Sequence, residues 1–392
     1  MPHLLLKEFK SVELPAEAGD FRFNFIATNL NFENEKLISV REKNGIEFFL
    51  VLKEERGKVL LKSDKTTRPA SIFLLHQALE AYAKLASLEV LHSNVPQNKN
   101  NPHLKETPAL KEIEYFANDF PTDKEVHIEV GFGSGRHLLY QAENNPDKLF
   151  IGLEIHRPSI QQVLKQINIK GLKNLLVIDY DARLFMEQVP SNIVGKIYVH
   201  FPVPWDKKPH RRVISKTFVA EAMRVLKPGG RLELRTDSEN YYAYSYDTFM
   251  SFTRMELLVK KNKEIAVSSK YEDRWKRMQK NIYDLTMIND ELSKPLKIEG
   301  DFDFEACKAD EEKFKSLHGK KFVEQGWFVH IERVYKTNLG SYLFKLSFGS
   351  FDRPEHLYII ASKDSCSYYP RTPLRSKANL IAHEKIKEVL RG

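Results

Sequence analysis

Residues Val126-His127-Ile128-Glu129-Val130-Gly131-Phe132-Gly133-Ser134-Gly135-Arg136 constrain this chain more than any other stretch. An apolar, β-branched run enters a glycine-rich turn, and apolar residues at helical spacing follow (Leu138, Leu139, Ala142). This order predicts a strand, a tight loop and a helix, the opening unit of an α/β nucleotide-binding sheet. Glycines let the backbone pass close to a ligand, and a helix start leaves N–H groups to face it. The spacing is Gly-x-Gly-x-Gly, and Arg136 stands where a dinucleotide fingerprint places its last glycine. Glu129, at the strand end, is awkward beside a pyrophosphate and suits the cationic amino-acid end of S-adenosylmethionine. Taken alone, the turn specifies no ligand.

The 392 residues give room for more than one domain. Residues 1–91 read as a small α+β unit. Alternating Phe21–Ile26 is followed by strand patterns at Leu37–Val40, Phe48–Leu52 and Val59–Leu61, then a helix from about Ser71 to Leu88. Residues 92–108 turn polar and rich in Asn and Pro, a linker signal. Residues 109–292 alternate strand and helix patterns. Strands end at Glu129, Glu154, Ile178, Phe201 and Thr236, and Lys227-Pro228-Gly229-Gly230 stops a helix that starts near Lys216. Residues 300–392 carry strands over Trp327–Val334, Leu343–Phe348 and Leu357–Ile360, then a helix from Lys377 to Leu390. Both flanking segments run strands then helix, without a shared residue pattern. The expected fold is α/β: a Rossmann-like, parallel-rich sheet flanked by two small α+β units.

Composition excludes several classes. The two cysteines, Cys307 and Cys366, are too few for a disulfide framework or a cysteine metal site, and a reducing cytoplasm is the default. No metal is expected. No apolar run approaches the roughly 20 residues that span a bilayer, and the N-terminus is too quickly charged for a signal peptide. A net charge of +8 permits a polyanionic partner without demanding one. No obligate protein partner is evident.

Ligands of parallel sheets bind at the C-terminal ends of the strands. Glu154 ends the second strand, where an acid accepts from ribose hydroxyls. Asp181, after the third, either accepts the adenine amino group or caps the helix over Phe185. After the fourth come His200-Phe201-Pro202-Val203-Pro204-Trp205 and the basic run Asp206-Lys207-Lys208-Pro209-His210-Arg211-Arg212. The two prolines stiffen this turn, Trp205 offers a face to a base, and the cations suit a phosphate backbone. The Asn/Asp-Pro-Pro-aromatic tetrapeptide of exocyclic-amine methylation is absent.

Together these residues resemble the bacterial tRNA (guanine-N(7))-methyltransferase family, which is a class I, S-adenosylmethionine-dependent family. An acid followed by Gly-Phe-Gly-x-Gly matches Glu129 to Gly135. The family's Phe-Ile-Gly-Ile-Glu-Val-His is similar to Phe150–His156. Its Asp-Ala matches Asp181-Ala182, and its Phe-Pro-Asp-Pro-Trp-x-Lys-x-x-His matches Phe201–His210 at all defined positions but one. Its Thr-Asp-x-Glu matches Thr236–Glu239, and its Thr-Lys-Phe-Glu resembles Ser269-Lys270-Tyr271-Glu272. The resemblance spans roughly residues 110 to 290 and omits both flanks.

The resemblance implies that Glu129, the glycines 131, 133 and 135, Glu154 and Asp181 bind S-adenosylmethionine. It also implies that Trp205, Lys207, His210, Asp237 and Ser269–Glu272 bind tRNA, presenting a guanine of the variable loop, position 46. Val203 stands where the family has Asp, and the basic loop is shorter after His210. Guanine N7 carries a free lone pair, so no proton must leave before attack. The remaining task is alignment and tolerance of positive charge, which Asp237 can serve as the principal acid, with Asp206 a weaker candidate. The alternatives are a non-catalytic tRNA-binding relative, a methyltransferase for another base or a small molecule, and an NAD-dependent oxidoreductase. Arg136 and Glu129 weigh against the last.

Overall fold

The computed structural model describes the chain apart from residues 1, 56, 70, 96–107, 118–119, 121–122, 268–269, 296, 306–309, 352, 363–364 and 392. Most of the expected linker, Ser269 and Cys307 lie outside the described residues. The chain forms two compact units, residues 106–297 and residues 1–105 together with 298–392.

The central unit is the α/β sheet. Its strands are β1 (Val126–Val130), β2 (Leu149–Leu153), β3 (Leu175–Ile178), β4 (Val194–His200), β5 (Leu226–Thr236), β6 (Glu256–Lys261) and β7 (Tyr283–Ile288). Its helices include α1 (Arg136–Asn144), α2 (Arg157–Lys170), α3 (Ala182–Met186), α4 (Lys216–Val225), α5 (Glu239–Met250) and α6 (Lys270–Arg277). The strands lie in the order β6-β7-β5-β4-β1-β2-β3, with Leu110–Lys111 outside β3. β1 to β5 are parallel, and β7 runs antiparallel to β5 and β6. β1 leads to β2 on one side while β4 fills the other. The order therefore reverses at the glycine turn, where such sheets take ligands.

Residue choice explains the layers. Every residue of β1 and β2 is buried, as expected of strands covered on both faces. Gly152 lets α1 settle onto β2: a Cβ there would meet Leu138 Cδ2 at 2.4 Å and Phe132 Cδ1 at 2.8 Å. Ser215 caps α4 through the Phe218 N–H, and Ser238 caps α5 through the Tyr241 N–H (both 3.2 Å).

β5 begins at Leu226, not at Arg231 as the Pro-Gly-Gly stop suggests. The stop still ends α4, but the Gly229 N–H donates to Asn289 O (2.7 Å) and Asn289 Nδ2 donates to Leu226 O (2.8 Å). These bonds carry the pairing back to the helix end. No strand is expected from sequence at β6 or β7, although Tyr283-Asp284-Leu285-Thr286-Met287 of β7 alternates apolar and polar residues.

The two flanks, expected as separate units, share one antiparallel twelve-stranded sheet, with Phe21–Asn29 beside Trp327–Thr337. Each side of that junction has a short hairpin strand (Ala16–Ala18; Lys321–Glu324) and a meander. Each then has a helix whose first turn accepts a serine cap, Ser71 to the Leu74 N–H and Ser376 to the Asn379 N–H. A cluster of Ala27, Leu37, Phe49, Tyr335, Leu343, Tyr358 and Tyr369 draws on both halves. Its polar edge is closed by Tyr335 Oη donating to Glu35 (2.6 Å). The element order repeats where the residues show no repeat.

Candidate active site

The glycine turn follows β1 with φ of +69°, +53° and +69° at Gly131, Gly133 and Gly135. At Gly135 a side chain would also collide, since a Cβ would lie 2.2 Å from Val163 Cγ2 of α2. Glu154, just past β2, reaches back to this turn. One carboxylate oxygen accepts from the Gly133 N–H (2.9 Å), and the other accepts from Ile155 and His156 N–H (2.8 and 2.9 Å). The acid expected at the sugar therefore stands against the glycine turn.

Glu129 is almost fully buried and accepts from His137 Nδ1 of α1 at 2.7 Å. Burial alone would lower the His137 imidazole, but the Glu129 carboxylate outweighs it and raises its affinity for a proton. The His137 ring lies 4.7 Å from Tyr198 and 4.6 Å from His200, so the end of β4 packs against this pair. Neither histidine was singled out from sequence. Asp181 caps α3 through the Arg183 N–H (2.9 Å) and takes that side chain in a two-point ion pair, Nε at 3.0 Å and Nη2 at 2.7 Å. The capping role is thus present at this position. Asp179 pairs with Arg157 at 2.9 Å.

The loop after β4 is strained: Phe201 and Trp205 have φ of +50° and +46°. Phe201 N–H donates to Arg235 O (2.7 Å), joining the loop to β5. Buried Arg212 supplies the other tie, donating from Nε to Pro204 O (2.7 Å) and from Nη2 to Asp206 (3.2 Å), with its guanidinium 4.4 Å from the Tyr244 ring. Within a run that reads as solvated surface, Arg212 is the internal brace. Arg211 covers one side of Trp205 at 5.1 Å. Val203, Trp205, Lys207 and His210 are exposed.

β5 ends in Arg235 and Thr236, and Asp237 follows. Asp237 pairs with Lys280 at 3.1 Å. Arg235 makes five polar contacts: Nη1 to both oxygens of Asp284 (2.6 and 2.7 Å), Nη2 to Lys263 O (2.9 Å) and Glu272 (2.8 Å), and Nε to Glu272 (3.2 Å). Burial would lower this guanidinium, but the two carboxylates outweigh it and raise it. Glu272, placed on tRNA by resemblance, has no exposed surface and bonds Arg235 and Lys276. It anchors α6 to the sheet. Ser269 is outside the described residues. Among the described residues no group of three or more His, Cys, Asp or Glu could hold a metal ion, and no helix is long and apolar enough to cross a membrane.

This strand order, with a glycine turn and an answering acid at the switch point, defines a Rossmann-like class I methyltransferase core. Residues 123–285 match a family model described as a putative methyltransferase. The tRNA (guanine-N(7)-)-methyltransferase of Wolinella succinogenes is 38% identical over 393 residues, covering all of both chains. That of Helicobacter pylori strain 26695 is 40% identical over 397 residues, covering 100% of this chain and 98% of that one. A crystal structure of the 16S rRNA methyltransferase KamB aligns with 45% of this chain and 92% of its own, at 17% identity and a TM-score of 0.34. The chain belongs to the tRNA (guanine-N(7)-)-methyltransferase family. Its methyl donor is S-adenosylmethionine. The match includes the flanks, so these relatives also carry counterparts of them.

The expectation that Glu154 binds the donor can be tested directly. Glu154→Ala removes the acceptor of three N–H groups and should weaken S-adenosylhomocysteine binding by ~10- to 100-fold, read by calorimetry. Unchanged affinity would detach Glu154 from the cofactor site.

Proposed function

We propose that this protein methylates N7 of guanine 46 in the variable loop of tRNA, with Asp237 as the principal acid. The observation that carries this reading is what stands at two strand ends. Glu154, just past β2, accepts from the glycine turn, and Asp237, just past β5, follows the strand end whose Arg235 O accepts from Phe201 of the strained loop.

The residues fit the donor. Two glycines with positive φ leave room at the turn, since a Cβ at Gly131 or Gly133 would meet nothing within 4 Å. Glu154 has oxygens at that turn to share with the ribose hydroxyls. Asp181 borders the adenine side, and Glu129 offers negative charge under the amino-acid end. The bound donor supplies a methyl group already activated by its sulfonium.

The chain's remaining work is positioning. Trp205 stacks a base on the face that Arg211 leaves open. Lys207 and His210 carry phosphates. Asp237 accepts from N1–H and N2–H of the guanine and offsets the charge that arrives at N7. Since N7 has a free lone pair, no general base is required. Lys280 must yield its place on Asp237 as the guanine enters, a small loss for a solvated ion pair.

The test is to methylate unmodified tRNA with labelled donor and map the product nucleoside. Label in 7-methylguanosine at position 46 is the expected result. Label in another nucleoside, or none with the donor bound, overturns the reading.

A further inference from the structure

Arg136 opens α1 directly behind the glycine turn, yet its side chain is spent far from it in sequence: Nη1 meets Asp273 of α6 at 2.6 Å. Both side chains are about half exposed, so the pair contributes little to folding on its own. Its interest lies in what it joins. α6 is held to the substrate side by Glu272 on Arg235, and Lys280, three residues past its end, lies on Asp237. Asp273, the next residue along, is the point where the same helix touches the wall of the cofactor turn.

We propose that the Arg136–Asp273 pair couples the two half-sites, so that donor binding and tRNA binding strengthen each other. This rests on the reading of the glycine turn as the donor site and α6 as part of the tRNA site. The turn is held by Gly131 N–H to Leu153 O (2.7 Å), Gly133 N–H to Glu154 (2.9 Å) and Gly135 N–H to Phe132 O (2.8 Å), and a Cβ at Gly131 or Gly133 would meet nothing within 4 Å, so a bound donor adds contacts on that open side. A donor that orders the turn fixes the backbone carrying Arg136. Less entropy is then lost in holding Asp273, and α6 is set where tRNA meets it. Linkage makes the effect reciprocal: tRNA on α6 must tighten the donor by the same factor.

The experiment measures tRNA dissociation constants for the full-length protein with and without saturating S-adenosylhomocysteine. The variants are wild type, Arg136→Ala, Asp273→Ala and the exchanged pair Arg136→Asp with Asp273→Arg. Wild type should show roughly two- to fivefold tighter tRNA binding with the cofactor product bound. Each single variant should bring that ratio to one while still binding both ligands, and the exchanged pair should restore it. A wild-type ratio of one, a ratio untouched by the single variants, or an exchanged pair that stays uncoupled overturns the proposal. Failure of the wild type to bind either ligand at all would instead overturn the functional reading beneath it.

Discussion

Asp237→Ala should cut methyl transfer by on the order of 10²- to 10³-fold, the loss expected when one preorganised electrostatic partner of the reacting group is removed. Binding of S-adenosylhomocysteine should be unchanged, since the acids proposed to hold the donor, Glu129, Glu154 and Asp181, lie on β1, just past β2 and after β3. Two controls separate the carboxylate from its surroundings. Lys280→Ala breaks the ion pair and keeps the acid, so it should retain turnover. Asp237→Asn keeps an acceptor without the charge and should fall between. Single-turnover rates with saturating tRNA are the measurement, and near-normal rates for Asp237→Ala would reject the assignment. Asp206 would then be next in line, although it is half exposed and already paired with Arg212. Val203, where the motif that Phe201–His210 resembles has Asp, is the reason so much falls on one residue.

The second large effect is on stability. Arg235→Ala leaves Glu272 and Asp284 facing each other without their shared cation, and breaking a buried ion pair in this way costs about 3–5 kcal/mol. Arg235→Lys keeps the charge but cannot reach Asp284, Glu272 and Lys263 O with one planar fork, so it should recover part of the loss. Urea unfolding followed by tryptophan fluorescence reads this directly, because Trp205 and Trp275 lie in the central unit and Trp327 in the other. An unchanged midpoint for the central transition would show that the network contributes nothing net.

What could be read from sequence was local. The glycine turn, the acids at strand ends and the helix caps are set by neighbouring residues, and β3 falls on the four residues expected, Leu175–Ile178. What escaped depends on distant partners. Arg231, Glu233 and Arg235 alternate on one face of β5 as three equivalent charges. Only the approach of β7 and α6 turns the first into exposed surface and the last into a buried anchor. Arg212 was hidden in a basic run because its acceptor, Pro204 O, is a backbone atom of a turn whose shape sequence does not give. β6 was missed because most of its residues are exposed and lack alternation. The flanking sheet was split in two because Asn29 and Tyr335, which pair across it, are separated by the whole central unit.

That shared sheet bears on biosynthesis. A chain growing from its N-terminus exposes the Phe21–Asn29 border, and Phe49 with it, long before Tyr335, Tyr358 and Tyr369 exist to cover them. The inserted catalytic unit can finish folding first, while its host waits as a half-built sheet with a bare rim, the kind of surface on which nascent chains stick to one another.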